Sequence, residues 1–494
     1  MPNDPISGDR ALSRRRFLIL SGVVATAGVL QACSSGGTTS PSQPAPAATS
    51  AGAAGAAPTS QPAAAATSAP AAAGNAAPGT PSNKSGTLNV WTGYPELEPM
   101  YKTAAQTFNQ TYPKVDVQVL SATLREMEQK LSTAVSTGQG PEVYDIGPNI
   151  IVKFIDGNLA DPLPSDVDQS VRSGIYSQFI LDYLTYNGKL YGIPLLDGGR
   201  DGLYYNKAMF RDAGLDPEKP PTTFDEVMQM AQKLAKTDAS GNLTRSGHSL
   251  RLSGQGSGIA EKFWFILRNY GGDPVVQAKD GKNWHNGYDN DAGRQTLQYY
   301  IDAVYKYHID DQKLPHDADA FESEATAMFL RESWVIGEIA QKNPKLEYGV
   351  APMPKGPARW ETMAQPWGIY VNKTAQDQQL AYEFAKAVTS KDNGLVQVKT
   401  SGWISPRQDI DWASLTQQIP QYQVFVNPPK EIAYYAYPKF SEFDEILTKM
   451  ADRLTNAYLD SSLNNNPDGV AKTIKDMAAE TDSLLKQANL YSAE

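Results

Sequence analysis

The chain has 494 residues, with 44 Lys and Arg against 54 Asp and Glu, and its formal net charge is -10 at pH 7. An acidic balance of this kind argues against nucleic-acid binding and against electrostatic adhesion to anionic lipid. The only cysteine, Cys33, lies near the N-terminus. Intrachain disulfides are therefore excluded, and so are cysteine-based metal sites and thiol catalysis in the body of the protein.

The N-terminus predicts export followed by lipid attachment. Residues 13–18 read SRRRFL, which resembles a twin-arginine signal, and the apolar run 17–30 is too short to span a bilayer. Residues 30–33 (LQAC) resemble a bacterial lipobox, in which Cys33 is diacylated and becomes the first residue after cleavage. Two acyl chains anchor a protein stably. We therefore predict an export signal peptide at 1–32 and an extracytoplasmic, membrane-anchored lipoprotein; the alternative is a chance arginine run before an ordinary apolar helix.

Residues 33–86 predict a disordered tether. After Cys33 the segment is dominated by Ala, Pro, Ser, Thr and Gly and has no aromatic residue. Such a composition offers too little apolar surface to offset the entropy of ordering, and the repeated prolines interrupt any long helix. An extended linker of this length holds a folded body away from a membrane.

The folded part begins with alternating strand and helix patterns. Short apolar or alternating runs at 88–91, 115–119 and 142–146 predict strands, and helical spacing of apolar residues at 97–108 and 124–135 predicts the helices between them. Alternation of this kind predicts an α/β domain with a parallel sheet and right-handed crossovers. Its ligand crevice should lie beyond the carboxyl ends of the strands, near Trp91 and Asp145.

A series of short motifs then follows along the rest of the chain. They are GKLYGIPL at 188–195, GLYYNKAMF at 202–210, DAGL at 212–215, PPTTFDE at 220–226, AMF at 327–329, YGVAPMP at 348–354 and YEFA at 382–385. Together and in this order, over most of 86–490, they resemble the extracellular solute-binding proteins of the sugar-binding type, which include maltose-binding proteins. In that family the protein is the capture subunit of an ABC importer.

The resemblance implies a two-lobed α/β periplasmic-binding-protein fold whose hinge the chain crosses more than once. Carried onto this sequence, the first lobe holds 87–197 plus 322–365, and the second holds 203–320 plus 366–494. Residues 197–199 (DGG) would then form the first hinge crossing, because glycine permits the backbone changes that closure needs. A tight surface turn is the alternative.

A sugar site requires flat apolar faces for the C–H side of each ring and polar groups in the plane of the hydroxyls. From its position in the resemblance, Trp334 is our first candidate for a stacking platform. The other aromatic candidates lie in predicted loops beside Gly or Pro, and they are Trp91, Tyr94, Trp367 and Trp403. Core packing is the alternative for each of them, and it is the preferred prediction for Trp264.

Three polar residues are candidate ligand contacts. Asp145 and Asp197 end predicted strands or lie in crevice-facing loops, and Arg407 follows Ser405 and Pro406. An arginine can donate two parallel hydrogen bonds to vicinal hydroxyls or to a carboxylate. Its alternative is an ordinary ion pair.

The function predicted on these grounds is capture of a sugar or oligosaccharide between two closing lobes for an ABC permease. We expect a monomer with no catalytic residue, no metal, no cofactor and no nucleic-acid partner. The four histidines have no spacing typical of a zinc site. A polyol or polyamine ligand remains an alternative, as do a glycoside-processing enzyme with paired carboxylates and a surface adhesin.

Overall fold

The structure is a computed structural model that describes residues 81–198, 200–254 and 256–493. The predicted signal peptide, Cys33 and the tether up to residue 80 lie outside the described residues. Gly199 of the predicted hinge crossing also lies outside them. Within the described part of the chain, no helix has the length and apolar character needed to cross a membrane.

The strands are β1 (Ser85–Thr92), β2 (Lys114–Ser121), β3 (Val143–Ile146), β4 (Thr185–Tyr186), β5 (Lys189–Leu190), β6 (Ile193–Leu196), β7 (Gly202–Asn206), β8 (Lys236–Thr237), β9 (Leu243–Arg245), β10 (Asp273–Gln277), β11 (Trp284–Gly287), β12 (Met328–Arg331), β13 (Tyr348–Pro352), β14 (Glu361–Met363), β15 (Trp367–Val371) and β16 (Ala433–Tyr435).

The α-helices are α1 (Glu98–Thr111), α2 (Leu124–Ser136), α3 (Pro148–Asp156), α4 (Ser165–Val171), α5 (Gln178–Leu184), α6 (Lys207–Asp212), α7 (Phe224–Leu234), α8 (Gly258–Tyr270), α9 (Asp291–Ile301), α10 (Asp317–Glu322), α11 (Trp334–Lys342), α12 (Gln378–Val388), α13 (Lys391–Ser401), α14 (Trp412–Gln418), α15 (Gln423–Val426), α16 (Phe443–Leu459) and α17 (Pro467–Gln487). Short 3₁₀ turns cover Pro95–Leu97, Pro420–Tyr422 and Ser461–Leu463, and a π-helical turn covers Asp302–Lys306.

The first lobe is built on a five-stranded sheet of order β2-β1-β3-β15-β6. β1 pairs in parallel with both β2 and β3, which confirms the alternating strands and helices predicted at this end of the chain. β15 is antiparallel to β3 and to β6, so the complete sheet is mixed beyond its three predicted parallel strands. β15 reaches this sheet from the distant second half of the chain, and local periodicity does not report strand direction.

The second lobe contains a three-stranded antiparallel sheet in which β7 lies between β12 and β13. α8 packs against α9 and α16, and α17 packs against α9 and α16. Trp264 of α8 is 2% exposed, which confirms its predicted place in the core. A capping box of Thr223 and Glu226, inside the PPTTFDE motif, begins α7, and each side chain accepts a hydrogen bond from the other residue's backbone.

Strand pairing departs from the predicted lobe boundaries in two places. β12 and β13 pair with β7 and so belong to the second lobe, although 322–365 was assigned to the first. β15 belongs to the five-stranded sheet, and α12 and α13 pack against α1, although 366–494 was assigned to the second lobe. Hydrophobic periodicity does not report which distant strands pair, so only the long-range pairing decides the lobe of these segments.

Among the described residues the chain passes between the lobes from β6 to β7, from β14 into β15, and again between α13 and α16. The first two crossings lie side by side, and the first includes Asp197 and Gly198. The Gln365 backbone N–H donates to the Gly198 carbonyl at 2.6 Å, which joins the two crossings. A hinge of paired extended segments allows the lobes to move with few backbone changes.

Candidate ligand-binding site

A cavity of about 620 Å³ lies between the lobes. This volume falls within the roughly 300–1,000 Å³ that small-molecule sites occupy. First-lobe residues line it just beyond the carboxyl ends of β1 and β2, where the crevice was predicted. The side chains that line it with aromatic or charged groups are Tyr94, Glu96, Arg125, Glu128, Arg251, Glu261, Arg331, Glu332, Trp334, Glu338, Trp367, Trp403 and Tyr437.

Four aromatic side chains form one continuous wall of the cavity. Tyr94 contacts Trp367 edge-on at a centroid distance of 4.9 Å and Trp403 at 5.4 Å. Trp403 lies 6.4 Å from Trp334. The Arg331 guanidinium lies 5.1 Å from the centre of the Trp334 ring. We call these four residues, Tyr94, Trp334, Trp367 and Trp403, the aromatic wall.

Both indole N–H groups at one end of the aromatic wall are already hydrogen-bonded to protein carboxylates. The Trp403 Nε1–H donates to Glu96 Oε1 at 2.9 Å, and the Trp334 Nε1–H donates to Glu332 Oε2 at 3.0 Å. These bonds fix the ring orientations. The rings therefore offer a ligand apolar surface rather than hydrogen-bond donors, which suits the C–H face of a sugar.

Arg125 crosses the cavity from the first lobe to the second. Its guanidinium donates to Glu128 at 2.8 Å on its own helix, α2, and to Ser257 Oγ at 2.5 Å just before α8. It also lies 3.5 Å from Glu261 and 3.6 Å from Asp444, on α8 and α16. Burial acts to raise the pKa of Glu261. The charge of Arg125, with hydrogen bonds from neighbouring side chains, nevertheless brings that pKa below its usual value. Arg125 thus carries attractive contacts between lobes.

A second ionic group forms the second-lobe side of the cavity. Arg331 Nε lies 3.1 Å from Asp317 and 3.3 Å from Glu332, and Arg251 donates to Asp317 at 2.8 Å. Burial acts to raise the pKa of Glu332, but the charges of Arg331 and Lys262, together with a backbone hydrogen bond, bring it below its usual value. These carboxylates are therefore ionised partners of the arginines at neutral pH.

Four of the predicted site residues are brought together in the aromatic wall, while four lie elsewhere. Trp91 packs half-buried against the core beside α2, with Lys130 Nζ 5.7 Å from its ring. Asp145 is buried behind the cavity, where it accepts hydrogen bonds from the Gly93 N–H at 3.1 Å and the Tyr101 hydroxyl at 2.6 Å. Asp145 therefore positions the backbone that lines the cavity rather than lining it.

Asp197 and Arg407 are also outside the residues that line the cavity. Asp197 is buried in the hinge crossing and pairs with Arg200 at 2.8 Å. Arg407 makes a two-pronged pair with Asp409, at 2.9 and 2.8 Å, and donates to the Thr389 carbonyl. Arg407 therefore makes the ion pair that was its alternative, and Asp197 pairs with Arg200 while its Oδ1 has no described hydrogen-bond partner; ligand contact by either residue stays a prediction.

Most of the charged lining of the cavity was not predicted from the sequence. Arg125 and Glu128 follow the carboxyl end of β2. Because ligand crevices lie beyond the carboxyl ends of parallel strands, this position could have suggested both residues. Arg251, Glu261 and Arg331 come from the second lobe, and no local pattern marks them. Across the described ranges, no group of three or more His, Cys, Asp or Glu side chains has a metal-binding arrangement.

A ligand-sized cavity between two hinged α/β lobes defines the class of two-lobed solute-binding proteins. Residues 92–394 match the family of bacterial extracellular solute-binding proteins, and the chain belongs to that family. Membership implies a location outside the cytoplasm. Both the family and the fold are those of solute-binding proteins rather than of enzymes.

Relatives and solved structures agree with this assignment. A binding protein of Brucella abortus is 22% identical over 373 residues, covering 73% of this chain and 83% of the relative. The lactose-binding protein of Rhizobium radiobacter is 22% identical over 328 residues, covering 62% of this chain and 71% of the relative. A solute-binding protein of an ABC transporter from Thermotoga lettingae, solved with alpha-D-tagatose, has a TM-score of 0.68 and 22% identity, covering 81% of this chain and 100% of that one.

Proposed function

We propose that this protein captures a sugar or oligosaccharide between its lobes and delivers it to an ABC permease. The observation that carries the proposal is the aromatic wall, which together with charged groups of both lobes lines a cavity of about 620 Å³. Relatives that bind lactose and tagatose support the ligand class. Ring faces supply the apolar contact and the charged side chains supply hydrogen-bond partners for hydroxyls.

Closure follows from the position of these groups. The ligand contacts Tyr94 and Trp403 from the first-lobe side and Arg331 and Glu332 from the second, so binding favours the state in which both sets meet. Arg125 adds direct contacts between lobes in that state. The closed monomer then docks on the permease, and no cofactor takes part.

The ligand class can be tested by thermal unfolding of the full-length protein against mono- and oligosaccharides, polyols and polyamines. A ligand at a hundred times its dissociation constant adds about 2.7 kcal/mol, which raises the unfolding midpoint measurably. We expect a rise with one class of sugar and an unchanged sugar on chromatography. Cleavage of the sugar, or no response to any sugar, would overturn the proposal.

Replacing Trp334 by alanine should weaken sugar binding by about 1–3 kcal/mol, because it removes the apolar ring face at one end of the aromatic wall. Isothermal titration with the sugar found above measures the change. Trp91→Ala is the matched control, since Trp91 lies outside the cavity lining and its loss should leave affinity unchanged. An equal loss of sugar affinity in Trp334→Ala and Trp91→Ala would show that the loss comes from general destabilisation of the protein and not from a ring that contacts the sugar.

We further propose that Cys33 carries the lipid anchor after twin-arginine export and that the following linker keeps the lobes free near the permease. The support is the sequence motif alone. Cys33→Ala should move the protein from the detergent phase to the aqueous phase in a detergent partition experiment. Retention of Cys33→Ala in the detergent phase would argue for another anchor.

A further inference from the structure

Glu96 occupies a distinct position at the aromatic wall. It lies in the short 3₁₀ turn that follows β1, where its Oε1 accepts the Trp403 indole N–H at 2.9 Å. The Tyr94 ring, two residues earlier, lies 5.4 Å from the same indole. Glu96 thus presents a carboxylate at the edge of two aromatic rings inside the cavity.

The other glutamates of the cavity wall have cationic partners within the protein. Glu128 and Glu261 pair with Arg125, Glu332 with Arg331, and Glu338 with Lys342. By contrast, no lysine, arginine or histidine nitrogen of the described residues lies within 4.0 Å of the Glu96 carboxylate. Its described side-chain partner is the neutral indole N–H.

The surroundings of Glu96 add negative rather than positive charge. The described lining holds five glutamates against three arginines, a difference of two negative charges. Burial raises the pKa of Glu96, and the charges of Glu338 and Asp145 raise it further. Burial likewise raises the pKa of the Tyr94 hydroxyl, and the nearby carboxylates add to that shift. A partly buried carboxylate without a counter-ion is costly, and a cation supplied from outside removes that cost.

We propose, building on the proposed function, that the sugar ligand carries a protonated amine, which binds Glu96 beside the rings of Trp403 and Tyr94. An ammonium group donates charge-assisted hydrogen bonds to the carboxylate. The same rings pack against the C–H face of the sugar. The ligand class is therefore an amino sugar or an oligosaccharide that contains one.

Matched pairs of sugars test this directly on the full-length protein. Glucosamine with glucose, galactosamine with galactose, and mannosamine with mannose differ only by an amine in place of a hydroxyl. At neutral pH we expect the amine to bind about tenfold or more tightly than its partner in at least one pair, in titration calorimetry. Glu96→Gln should abolish that preference, because the neutral amide no longer pairs with the ammonium group; the readout is the ratio of the two affinities within a pair, since the neutral sugar also contacts this wall.

Glu98→Gln is the control variant. It removes one negative charge two residues away, where the carboxylate already pairs with Lys102 at 2.6 Å and lies outside the cavity lining. We expect it to keep the preference for the amine. Equal affinity within every pair, or a preference that survives Glu96→Gln, would overturn the inference and leave sugar capture intact. Absence of binding to every sugar in the wider panel would overturn the proposed function itself.

Discussion

Replacing Lys262 by methionine should lower the free energy of unfolding by about 3–5 kcal/mol, the cost of breaking a buried ion pair on one side. The Lys262 side chain is 7% exposed and its Nζ lies 3.5 Å from Asp201, whose side chain is fully buried. Asp201 follows the first hinge crossing, and Lys262 lies on α8. Among the described residues, Lys262 supplies the cation of the ion pair with Asp201, so its loss leaves that carboxylate unpaired.

The pH dependence of the loss distinguishes this cause from lost packing. Burial raises the pKa of Asp201 well above its usual value, and Lys262 opposes that shift, so the variant should raise the pKa further. The folded variant then holds a proton that the unfolded chain releases. Its stability should therefore fall as pH rises above the ordinary aspartate range and through the new pKa.

Urea unfolding of Lys262→Met, Asp201→Asn and the double variant measures these terms. We expect the double variant to recover most of the lost stability and to lose the extra pH dependence, because no charge is left unpaired. Additive losses in the double variant would show that the two side chains do not interact. Ligand affinity, measured without urea where each variant is fully folded, serves as the check that the cavity is unchanged.

Gly337→Val should both destabilise the protein by about 1–3 kcal/mol and weaken ligand binding about tenfold or more. A Cβ placed on Gly337 of α11 would lie 2.7 Å from the Gly402 nitrogen and 2.9 Å from the Ser401 carbonyl oxygen. These are backbone atoms at the end of α13, which cannot rotate away. Added volume must therefore push α11 and α13 apart.

This contact sets the spacing of the aromatic wall. Trp334 begins α11, and Trp403 follows Gly402, which ends α13 in the left-handed conformation at φ 78°. Separating the two helices therefore separates the two indoles. Ala340→Val is the control, since it adds a branched side chain at an exposed position of the same helix. Thermal unfolding and calorimetry should show a large effect only for Gly337→Val; unchanged affinity in that variant would show that the helix spacing does not matter.

The aromatic half of the site was predictable, and the ionic half largely was not. Tyr94 and Trp403 could be suggested because each lies beside Gly or Pro in a predicted loop, where an aromatic ring is available to line a crevice. Arg407 and Asp197 looked equally suitable, yet their charges are satisfied by Asp409 and Arg200. A polar side chain has the same appearance in sequence whether its partner is a ligand or a neighbour, so its role depends on distances that the sequence does not contain.

Local signals in the sequence alone determined the first three parallel strands, the helices between them and the capping box of α7, because hydrophobic periodicity and capping act within one turn or one strand. The ordered motifs also determined the family. Only the tertiary structure decided that β15 joins the first sheet, that Arg125 reaches the second lobe, and that Glu96 lacks a described cationic partner. Each of these depends on segments far apart in the chain, whose pairing is set by packing of the whole fold.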